Sequence, residues 1–260
     1  MPCGAVSKLE QITKMKRHLK AVLKPLIPGA MLERRRKRQF EREQEEARDR
    51  PIEDVFTEIY ESGTWAKEDG VRFHSGPGSL PSVTAGYENF VASTIDSSSD
   101  IQTLVDIGCG DFQVSRRILI KLKKPIRYFG CDIAANVVSY NREKFGKPGV
   151  IEFRHVNAAT GAVPGGDIVT VREVFQHLSN DTILAALANL RGNFKTAIIT
   201  ESVFITPSQP NLDIVSGYRT RDGHRSGVYL ELAPFNLKVL DRYEQPVNEE
   251  EVLRTLVVAL

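Results

Sequence analysis

Between residues 101 and 204, short apolar runs alternate with amphipathic stretches. The apolar runs are rich in β-branched and aromatic residues and predict strands at Ile101–Ile107, Pro125–Cys131, Val150–Val156, Asp167–Val171 and Thr196–Phe204. The amphipathic stretches predict helices at Val114–Leu122, Ala134–Phe145 and Asp181–Arg191, the last capped by Asn180 or Asp181. Strands separated by helices imply right-handed β-α-β crossovers. The sequence therefore predicts an α/β fold with a doubly wound, mainly parallel sheet.

The pattern loosens after Thr206, where proline, asparagine, glycine and arginine become frequent. Farther on, Val228–Leu240 predicts a strand at the sheet edge, and Glu249–Ala259 predicts a closing helix. We expect residues 51–260 to form one domain and residues 1–50 to form an extension of it.

Composition narrows the class of protein. The chain has 260 residues, of which 41% are hydrophobic and 26% are charged, and these values exclude a disordered or collagen-like protein. Its three cysteines, Cys3, Cys109 and Cys131, are too few and too far apart for a C-x-x-C motif, which favours reduced thiols. No apolar run reaches eighteen residues and no secretory signal is recognisable. We therefore expect a cytoplasmic protein.

Positive charge is concentrated in the helical N-terminal extension. Residues 1–50 hold 14 Lys/Arg and 7 Asp/Glu, whereas the remainder holds 21 and 26. Six apolar residues recur at helical spacing among lysines, namely Leu9, Ile12, Met15, Leu19, Leu23 and Leu26. The first interpretation is a solvated helical extension that packs on the body or on a second subunit. Peripheral contact with the inner membrane surface is the alternative. Nucleic-acid binding is disfavoured because no aromatic residues interleave the arginines.

The first predicted strand ends in a glycine turn. Asp106 precedes Gly108 and Gly110, which permit positive φ and close backbone approach to a ligand. The third glycine of a nicotinamide fingerprint is replaced by Gln113. Asp132 ends the second strand 22 residues after Gly110, where a carboxylate can accept both ribose hydroxyls of a nucleoside. These features predict a nucleoside site at the carboxyl ends of the first two strands.

These residues carry a family resemblance. Val105-Asp106-Ile107-Gly108-Cys109-Gly110 resembles the first motif of the class I S-adenosylmethionine-dependent methyltransferases, and Phe129-Gly130-Cys131-Asp132-Ile133 resembles the second. The stretch Asp167–Leu178 resembles the fourth-strand motif of a bacterial subgroup that acts on glycans and small molecules. Phe56-x-x-Ile59-Tyr60, with Trp65 and then Ser75–Ser79, resembles the segment that covers the cofactor in that subgroup.

The resemblance implies a Rossmann-like class I methyltransferase fold with S-adenosylmethionine as cofactor. It also implies methyl transfer to a small-molecule or glycan acceptor, with O-methylation of a sugar hydroxyl as the expected reaction. The implied cofactor-binding residues are Asp106, Gly108, Cys109, Gly110, Asp132, Ile133, Asn157, Ala158, Arg172, Trp65, Ser75 and Gly76. The implied catalytic residues are His177, as a general base, and Glu173, which together with Arg172 would orient that base or the substrate.

Two residues depart from the family pattern. Asn157 stands where an acid usually contacts adenine, although its amide oxygen still accepts a hydrogen bond, and Glu173 replaces the usual aspartate. Some roles stay open. His177 is either a base or a structural histidine that holds loop backbone, and Ser75–Ser79 is either an anion nest or an ordinary turn. A polar patch is expected to contact the acceptor, and it comprises Asn211, Asp213, Tyr218, Arg219 and Arg221.

Two other functions are compatible with the sequence. The chain could be a non-catalytic scaffold that binds S-adenosylmethionine, or a nicotinamide-dependent oxidoreductase. Methylation of nucleic acid is not expected, since the Asn/Asp-Pro-Pro-aromatic box of base methylation is missing. No set of side chains has metal-ligand spacing, so no metal is expected. The sequence predicts no particular oligomeric state.

Overall fold

The computed structural model describes residues 50–65 and 71–260, together with residues 31, 35, 38, 41, 42 and 45. Those six residues are helical and exposed. The basic amphipathic helix expected between residues 8 and 26 lies outside the described residues, as do the contacts proposed for it. The chain divides into two compact units, Met1–Glu46 and Ala47–Leu260. The second unit holds the sheet.

Seven strands form one mixed sheet in the order β3-β2-β1-β4-β5-β7-β6. The strands are β1 Thr103–Ile107, β2 Arg127–Asp132, β3 Ile151–His155, β4 Ile168–Arg172, β5 Thr196–Phe204, β6 Lys238–Pro246 and β7 Glu251–Ala259. Strands β1 to β5 pair in parallel, and β7 runs antiparallel between β5 and β6. The predicted doubly wound, mainly parallel sheet is confirmed.

Five helices flank this sheet in the Ala47–Leu260 unit. They are α1 Ile52–Ser62, α2 Pro81–Asp96, α3 Gln113–Lys121, α4 Ala135–Phe145 and α5 Asn180–Arg191. The cap predicted for α5 is wrong by one residue. Ser179, rather than Asn180 or Asp181, accepts a hydrogen bond from the Thr182 backbone N–H, at 3.2 Å.

The strands bury side chains on both faces. Val105 and Ile107 of β1 belong to one apolar core, which α1 and α5 cover, while Leu104 belongs to the opposite core, which α2 covers. This alternation follows from the two-residue period of a strand. Because both faces are covered, the inner strands read as nearly continuous apolar runs.

The closing helix predicted at Glu249–Ala259 is wrong, because these residues form β7. β7 pairs on both edges and is buried on both faces, so its apolar residues need no strict alternation. The apolar residues of such a run also match helical spacing, and periodicity alone does not separate the two structures. The β-branched residues Val252, Thr255 and Val257 favour the strand.

The strand predicted at Val228–Leu240 is also largely wrong, since β6 begins only at Lys238. Before that residue the chain turns. Tyr229 donates its backbone N–H to the Asn211 side chain at 2.7 Å and accepts from the same side chain at 3.0 Å. An asparagine side chain therefore takes the hydrogen bonds that a neighbouring strand would otherwise supply.

Candidate active site

A cleft opens at the carboxyl ends of the parallel strands, where the strand order reverses between β1 and β4. It contains a cavity of about 300 Å³. The walls come from residues that follow β1, β2, β3 and β4, from α1 and from the segment 75–79. Every residue that the sequence assigned to the site, except Gly110, lines this cavity.

The turn after β1 requires glycine at two positions. Gly108 and Gly110 have φ angles of 71° and 52°, in the left-handed region that favours glycine. A Cβ atom at position 110 would lie 2.3 Å from the hydroxyl oxygen of Ser75, and one at position 108 would lie 2.2 Å from Cγ2 of Val174. The glycines therefore also make room for protein segments, and not only for a ligand as the sequence analysis expected.

Replacing Gly108 with alanine is expected to lower the free energy of unfolding by about 2 kcal/mol. The new Cβ would clash with Val174, whose β-branched side chain is stiff. The positive φ angle of the residue adds about 1 kcal/mol of backbone strain to that clash. Urea denaturation of the wild type and the variant measures the loss.

Gly149→Ala is the matched control, because Gly149 has a φ angle of 75° and no atom within 4 Å of a Cβ at that position. It should cost only the backbone strain, about 1 kcal/mol. Val174→Ala removes the methyl group that the new Cβ would meet. Gly108→Ala should therefore cost less free energy of unfolding in the Val174→Ala protein than in the wild type. Equal losses in the two single glycine variants would refute the clash.

Asp106 is buried, and its carboxylate accepts hydrogen bonds from three hydroxyl groups. Thr170 Oγ1 donates to its Oδ1 at 2.9 Å, while Tyr128 Oη, at 2.9 Å, and Ser115 Oγ donate to its Oδ2. Burial raises the pKa of Asp106, and the three hydroxyl groups oppose that rise. Both oxygens thus bind the protein itself and hold β1 against β2, β4 and α3.

Asp132 ends β2 beside the glycine turn. Its Oδ2 accepts from the Gly110 backbone N–H and its Oδ1 from the Ala134 backbone N–H, both at 2.9 Å. Burial raises the pKa of Asp132, and these backbone hydrogen bonds oppose the rise. Each carboxylate oxygen has a second acceptor site, and the side chain lines the cavity. The structure therefore brings this carboxylate and the glycine turn together.

The loops after β2 and β3 supply Ile133, Asn157 and Ala158 to the cavity wall. The amide oxygen of Asn157 accepts from the Ala159 backbone N–H at 2.9 Å, which makes a local Asx turn. This bond uses the oxygen that the sequence analysis assigned to adenine. Asn157 therefore offers its amide N–H groups and one remaining lone pair to a ligand.

Aromatic residues of α1 and the segment after it cover one side of the cavity. The Tyr60 ring packs edge-on against Trp65, with ring centroids 5.0 Å apart, and its hydroxyl lies 3.4 Å from Ser75 Oγ. Ser75 and Asp111 are joined twice, because the backbone N–H of each donates to the side chain of the other, at 3.1 and 2.9 Å. These contacts fix the cover to the glycine turn.

The anion-nest hypothesis for the segment 75–79 does not agree with its hydrogen bonds. The backbone N–H of Ser75 binds Asp111, and that of Gly76 binds Nδ1 of His74 at 3.0 Å. Both donors are engaged within the protein, and the backbone N–H of Ser79 donates to the Gly76 carbonyl at 3.1 Å, so these three groups are not available to an anion. Ser75 and Gly76 nevertheless remain in the cavity wall.

Arg172 and Glu173 form an ion pair at the end of β4, with Arg172 Nη1 2.8 Å from Glu173 Oε2. Arg172 Nη2 also donates to the Gly78 carbonyl at 2.8 Å, and the guanidinium lies over the Tyr87 ring at 5.3 Å. Its Nε is buried and has no hydrogen-bond partner. Glu173 therefore orients Arg172, and the Nε–H remains as a donor for a ligand.

His177 ends a short 3-10 helix, Phe175–His177, that follows β4. Its ring lies 5.5 Å from Trp65 and 6.2 Å from Phe56 between ring centroids. Burial lowers the pKa of His177 to about 4, and hydrogen bonds with the backbone of residues 217–219 only partly oppose this. The imidazole is therefore neutral at pH 7.

One nitrogen of His177 is left as an acceptor. Nδ1 is buried and has no hydrogen-bond partner. A neutral imidazole keeps its proton on the nitrogen that donates a hydrogen bond. Because Nδ1 has no partner, the side-chain bonds with the backbone of residues 217–219 fall on Nε2. His177 is one of the residues that line the cavity, and its Nδ1 keeps a free lone pair.

Two residues support this helix. The sequence analysis did not name Glu201, and it assigned Arg221 to the patch expected to contact the acceptor. Glu201 accepts from the backbone N–H groups of Phe175, at 2.8 Å, and Gln176, at 3.0 Å. Arg221 donates to the carbonyls of the same two residues at 3.2 Å and to that of Leu178 at 2.7 Å. A single acid within the apolar run of β5 was the available signal for Glu201, since a charge there requires buried partners.

Three members of the polar patch expected to contact the acceptor instead hold loops together. Asn211 binds the backbone of Tyr229 through both ends of its amide. Asp213 accepts from the Asn180 backbone N–H at 2.7 Å, and Arg221 is 0% exposed. The patch hypothesis is therefore wrong for the buried residues Asn211 and Arg221, whose polar atoms bind the chain itself. Asp213 is exposed, and its hydrogen bonds use Oδ1.

The described part of the chain offers no metal site and no membrane-spanning helix. There, no three His, Cys, Asp or Glu side chains gather as metal ligands, and no helix is sufficiently long and apolar to cross a membrane. Cys109 and Cys131 are unpaired, and burial raises the pKa of both thiols above the ordinary value. Cys3 lies outside the described residues.

Comparison with known proteins agrees with this site. A family model for a methyltransferase domain matches residues 105–196, which run from β1 to the start of β5. No curated protein sequence matches the chain. Among solved structures, human N-acetylserotonin methyltransferase in complex with S-adenosylmethionine has a TM-score of 0.53 and 16% identity, over 81% of this chain and 60% of that chain. The present chain therefore spans less than two thirds of the human enzyme.

Two bacterial proteins are matched over nearly their whole length. The N-methyltransferase NodS from Bradyrhizobium japonicum, in complex with S-adenosylhomocysteine, has a TM-score of 0.53 and 15% identity, over 77% of this chain and 98% of that chain. Magnesium protoporphyrin IX methyltransferase from Synechocystis, with bound S-adenosylmethionine, has a TM-score of 0.50 and 13% identity, over 81% and 98%. At these identities the likeness shows a shared fold.

The strand order, the glycine turn beside Asp132 and the matched domain agree with one another. They favour S-adenosylmethionine over a nicotinamide cofactor. Residues 105–196 match a methyltransferase domain, and the chain shares its fold with methyltransferases whose structures hold S-adenosylmethionine or S-adenosylhomocysteine.

Proposed function

We propose that the protein methylates a hydroxyl group of a small-molecule or glycan acceptor, with His177 as the general base. One observation carries this proposal: the buried Nδ1 of a neutral histidine in the cavity wall has no hydrogen-bond partner in the protein. A group that is buried without a partner costs free energy, and such groups persist where a ligand or reaction uses them. An acceptor hydroxyl would supply the missing donor.

The residues present fit the cofactor. The orphaned Nε of Arg172 is a cationic donor suited to a carboxylate, and Asp132 keeps acceptor sites suited to ribose hydroxyls. Ile133 and Ala158 offer an apolar surface to a base, and Asn157 offers its amide N–H groups. Tyr60 and Trp65 would exclude water from this space. When bound, S-adenosylmethionine supplies an electrophilic methyl group on a positively charged sulfur.

His177 would accept the proton that the acceptor hydroxyl loses during methylation. A hydroxyl with a pKa far above neutrality benefits from a positioned base, typically by about a hundredfold or more. The low pKa of His177 keeps Nδ1 unprotonated throughout the physiological range. Alignment in a dry cavity would provide the rest of the rate enhancement.

A sugar ring suits the wall beside His177. Trp65 and Phe56 both lie within 6.2 Å of the imidazole, between ring centroids. A sugar has an apolar face of C–H groups for these rings and hydroxyls at its edge for Nδ1. A phenol combines an apolar face and a hydroxyl in a similar way, so it is the second acceptor class to test.

The test uses labelled S-adenosylmethionine with three acceptor pools: sugar glycosides, phenols and primary amines. We expect label on the hydroxyl of a sugar. With the acceptor found, His177→Gln should lower kcat about a hundredfold, because the glutamine amide cannot act as a base. Its affinity for S-adenosylhomocysteine, measured by calorimetry, should stay within about twofold of the wild type.

The control is His224→Gln, since His224 lies outside the cavity lining. It should keep the wild-type kcat. Label on amines alone would exclude hydroxyl transfer. An unchanged kcat in His177→Gln would remove His177 from the reaction and leave it a structural residue.

A further inference from the structure

The short helix that carries His177 is held by two buried polar residues, a glutamate and an arginine. Phe175–His177 has only three residues, too few for a helix to be stable by itself. Glu201, on β5, binds two of its backbone N–H groups, at 2.8 and 3.0 Å. Arg221, from the loop after β5, binds the carbonyls of Phe175 and Gln176 at 3.2 Å each.

Arg221 also ties this helix to its surroundings. It donates to Leu178 O at 2.7 Å, to Asn180 Oδ1 at 3.0 Å and to Leu212 O at 2.6 Å. One guanidinium therefore connects the helix, the start of α5 and the loop after β5. Arg221 is completely buried and Glu201 is 2% exposed, so water does not compete for these bonds.

We propose that Glu201 and Arg221 are positioning residues for the Phe175–His177 helix. Glu201 binds its backbone N–H groups and Arg221 binds its carbonyls, and together they hold His177 in place in the cavity wall. Neither residue belongs to the cavity lining, so both act through His177. The inference rests on the proposed function for its catalytic consequence, but the geometry of the helix can be tested separately.

The cost of burying two ionisable groups is consistent with a positioning role. Burial raises the pKa of Glu201 to about 8 and lowers the pKa of Arg221 to about 10. Glu173 raises the pKa of Glu201 further, while Asp213 and Asp222 oppose the shift of Arg221. A well-packed apolar pair would avoid these costs. The carboxyl and guanidinium groups are useful here because they bind the backbone N–H groups and the carbonyls of one short helix.

The test follows His177 directly. Full-length protein labelled with ¹⁵N-histidine is titrated by NMR, with the His177 signal assigned from its loss in His177→Gln. In the wild type we expect the Nε2–H tautomer and a pKa near 4. Glu201→Gln replaces one acceptor oxygen with an amide donor, and Arg221→Lys cannot reach five acceptors with one ammonium group.

In both variants we expect water to reach a loosened ring, so the pKa of His177 should rise toward its ordinary value of 6.5. The kcat with the acceptor should fall about tenfold, while the affinity for S-adenosylhomocysteine stays within about twofold. Glu201→Asp, which keeps the charge on a shorter side chain, should show intermediate values. Thermal unfolding checks that each variant is folded.

The controls are Glu250→Gln and Arg225→Lys, which make the same replacements in an exposed ion pair. Both should leave the His177 signal and kcat unchanged. An unmoved His177 titration in Glu201→Gln and Arg221→Lys would overturn the positioning role, whatever happens to turnover. A moved titration together with full activity of His177→Gln would keep the positioning role and refute the proposed function instead.

Discussion

Replacing Asp132 with alanine should weaken the binding of S-adenosylhomocysteine at least thirtyfold and lower the free energy of unfolding by about 3 kcal/mol. The stability loss arises because the buried backbone N–H groups of Gly110 and Ala134 each lose an acceptor, at about 1–3 kcal/mol apiece. The affinity loss arises because the same carboxylate is proposed to accept the ribose hydroxyls. Calorimetry and urea denaturation measure the two effects.

Asp167→Ala is a close control for this variant. Asp167 also accepts two backbone N–H groups, from Gln102 and Thr103 at 2.9 and 2.8 Å. However, it is exposed and lies at the opposite end of the sheet from the cavity. Its loss should lower stability only slightly and leave the affinity for S-adenosylhomocysteine unchanged. An Asp132→Ala protein that binds the ligand as tightly as the wild type would remove Asp132 from the site.

The parallel half of the fold was predictable because its signals are local. Each strand from β1 to β5 is a short apolar run, and each intervening helix is amphipathic. The antiparallel hairpin of β6 and β7 was not predictable, because β7 is stabilised as a strand by pairing with β5 on one edge and β6 on the other. Helices α1 and α2 were also not predicted from periodicity, although their residues Phe56 and Tyr60 carried the family resemblance.

The residues that line the cavity were predicted better than the residues that hold them in place. Asp132 and the glycine turn meet as their spacing in the sequence suggests, and His177 lines the same cavity. The hydroxyl partners of Asp106 could not be anticipated, since Ser115, Tyr128 and Thr170 come from three different elements. Such partners are set by the way elements pack.

The burial of charge explains the remaining misassignment. Arginine is usually exposed, so the loop after β5 suggested a surface that contacts the acceptor. In the structure Arg221 is enclosed by backbone carbonyls, which together satisfy its donors. Only the folded loop brings those carbonyls together, so no local sequence pattern predicts that Arg221 is buried.

Below pH 6.5 the wild type should lose stability that His177→Gln does not lose. The pKa of His177 is about 4 in the folded protein, against an ordinary value of 6.5. The unfolded chain therefore binds a proton in this range that the folded protein does not. The contribution of His177 to the free energy of unfolding is therefore complete above pH 6.5 and is lost as the pH falls to 4. The loss amounts to about 3 kcal/mol. Urea denaturation at a series of pH values measures it.

The test compares the free energies of unfolding of wild type and variant because other buried groups change stability with pH in the opposite direction. The pKa values of Asp106, Asp132 and Glu201 are raised, so proton uptake at these groups stabilises the folded protein as the pH falls. These contributions are present in both proteins and cancel in the difference.

Ile183→Val is the control for this pH series, because it removes one buried methylene and adds no titrating group. It should cost about 1 kcal/mol at every pH, so its curve should run parallel to that of the wild type. The curve for His177→Gln should instead converge with the wild-type curve as the solution is acidified, or cross it. A difference that stays constant from pH 7 to pH 4 would mean that His177 is not held neutral by burial. His177 would then titrate near its ordinary pKa of 6.5 in the folded protein, and the argument from its burial would fail.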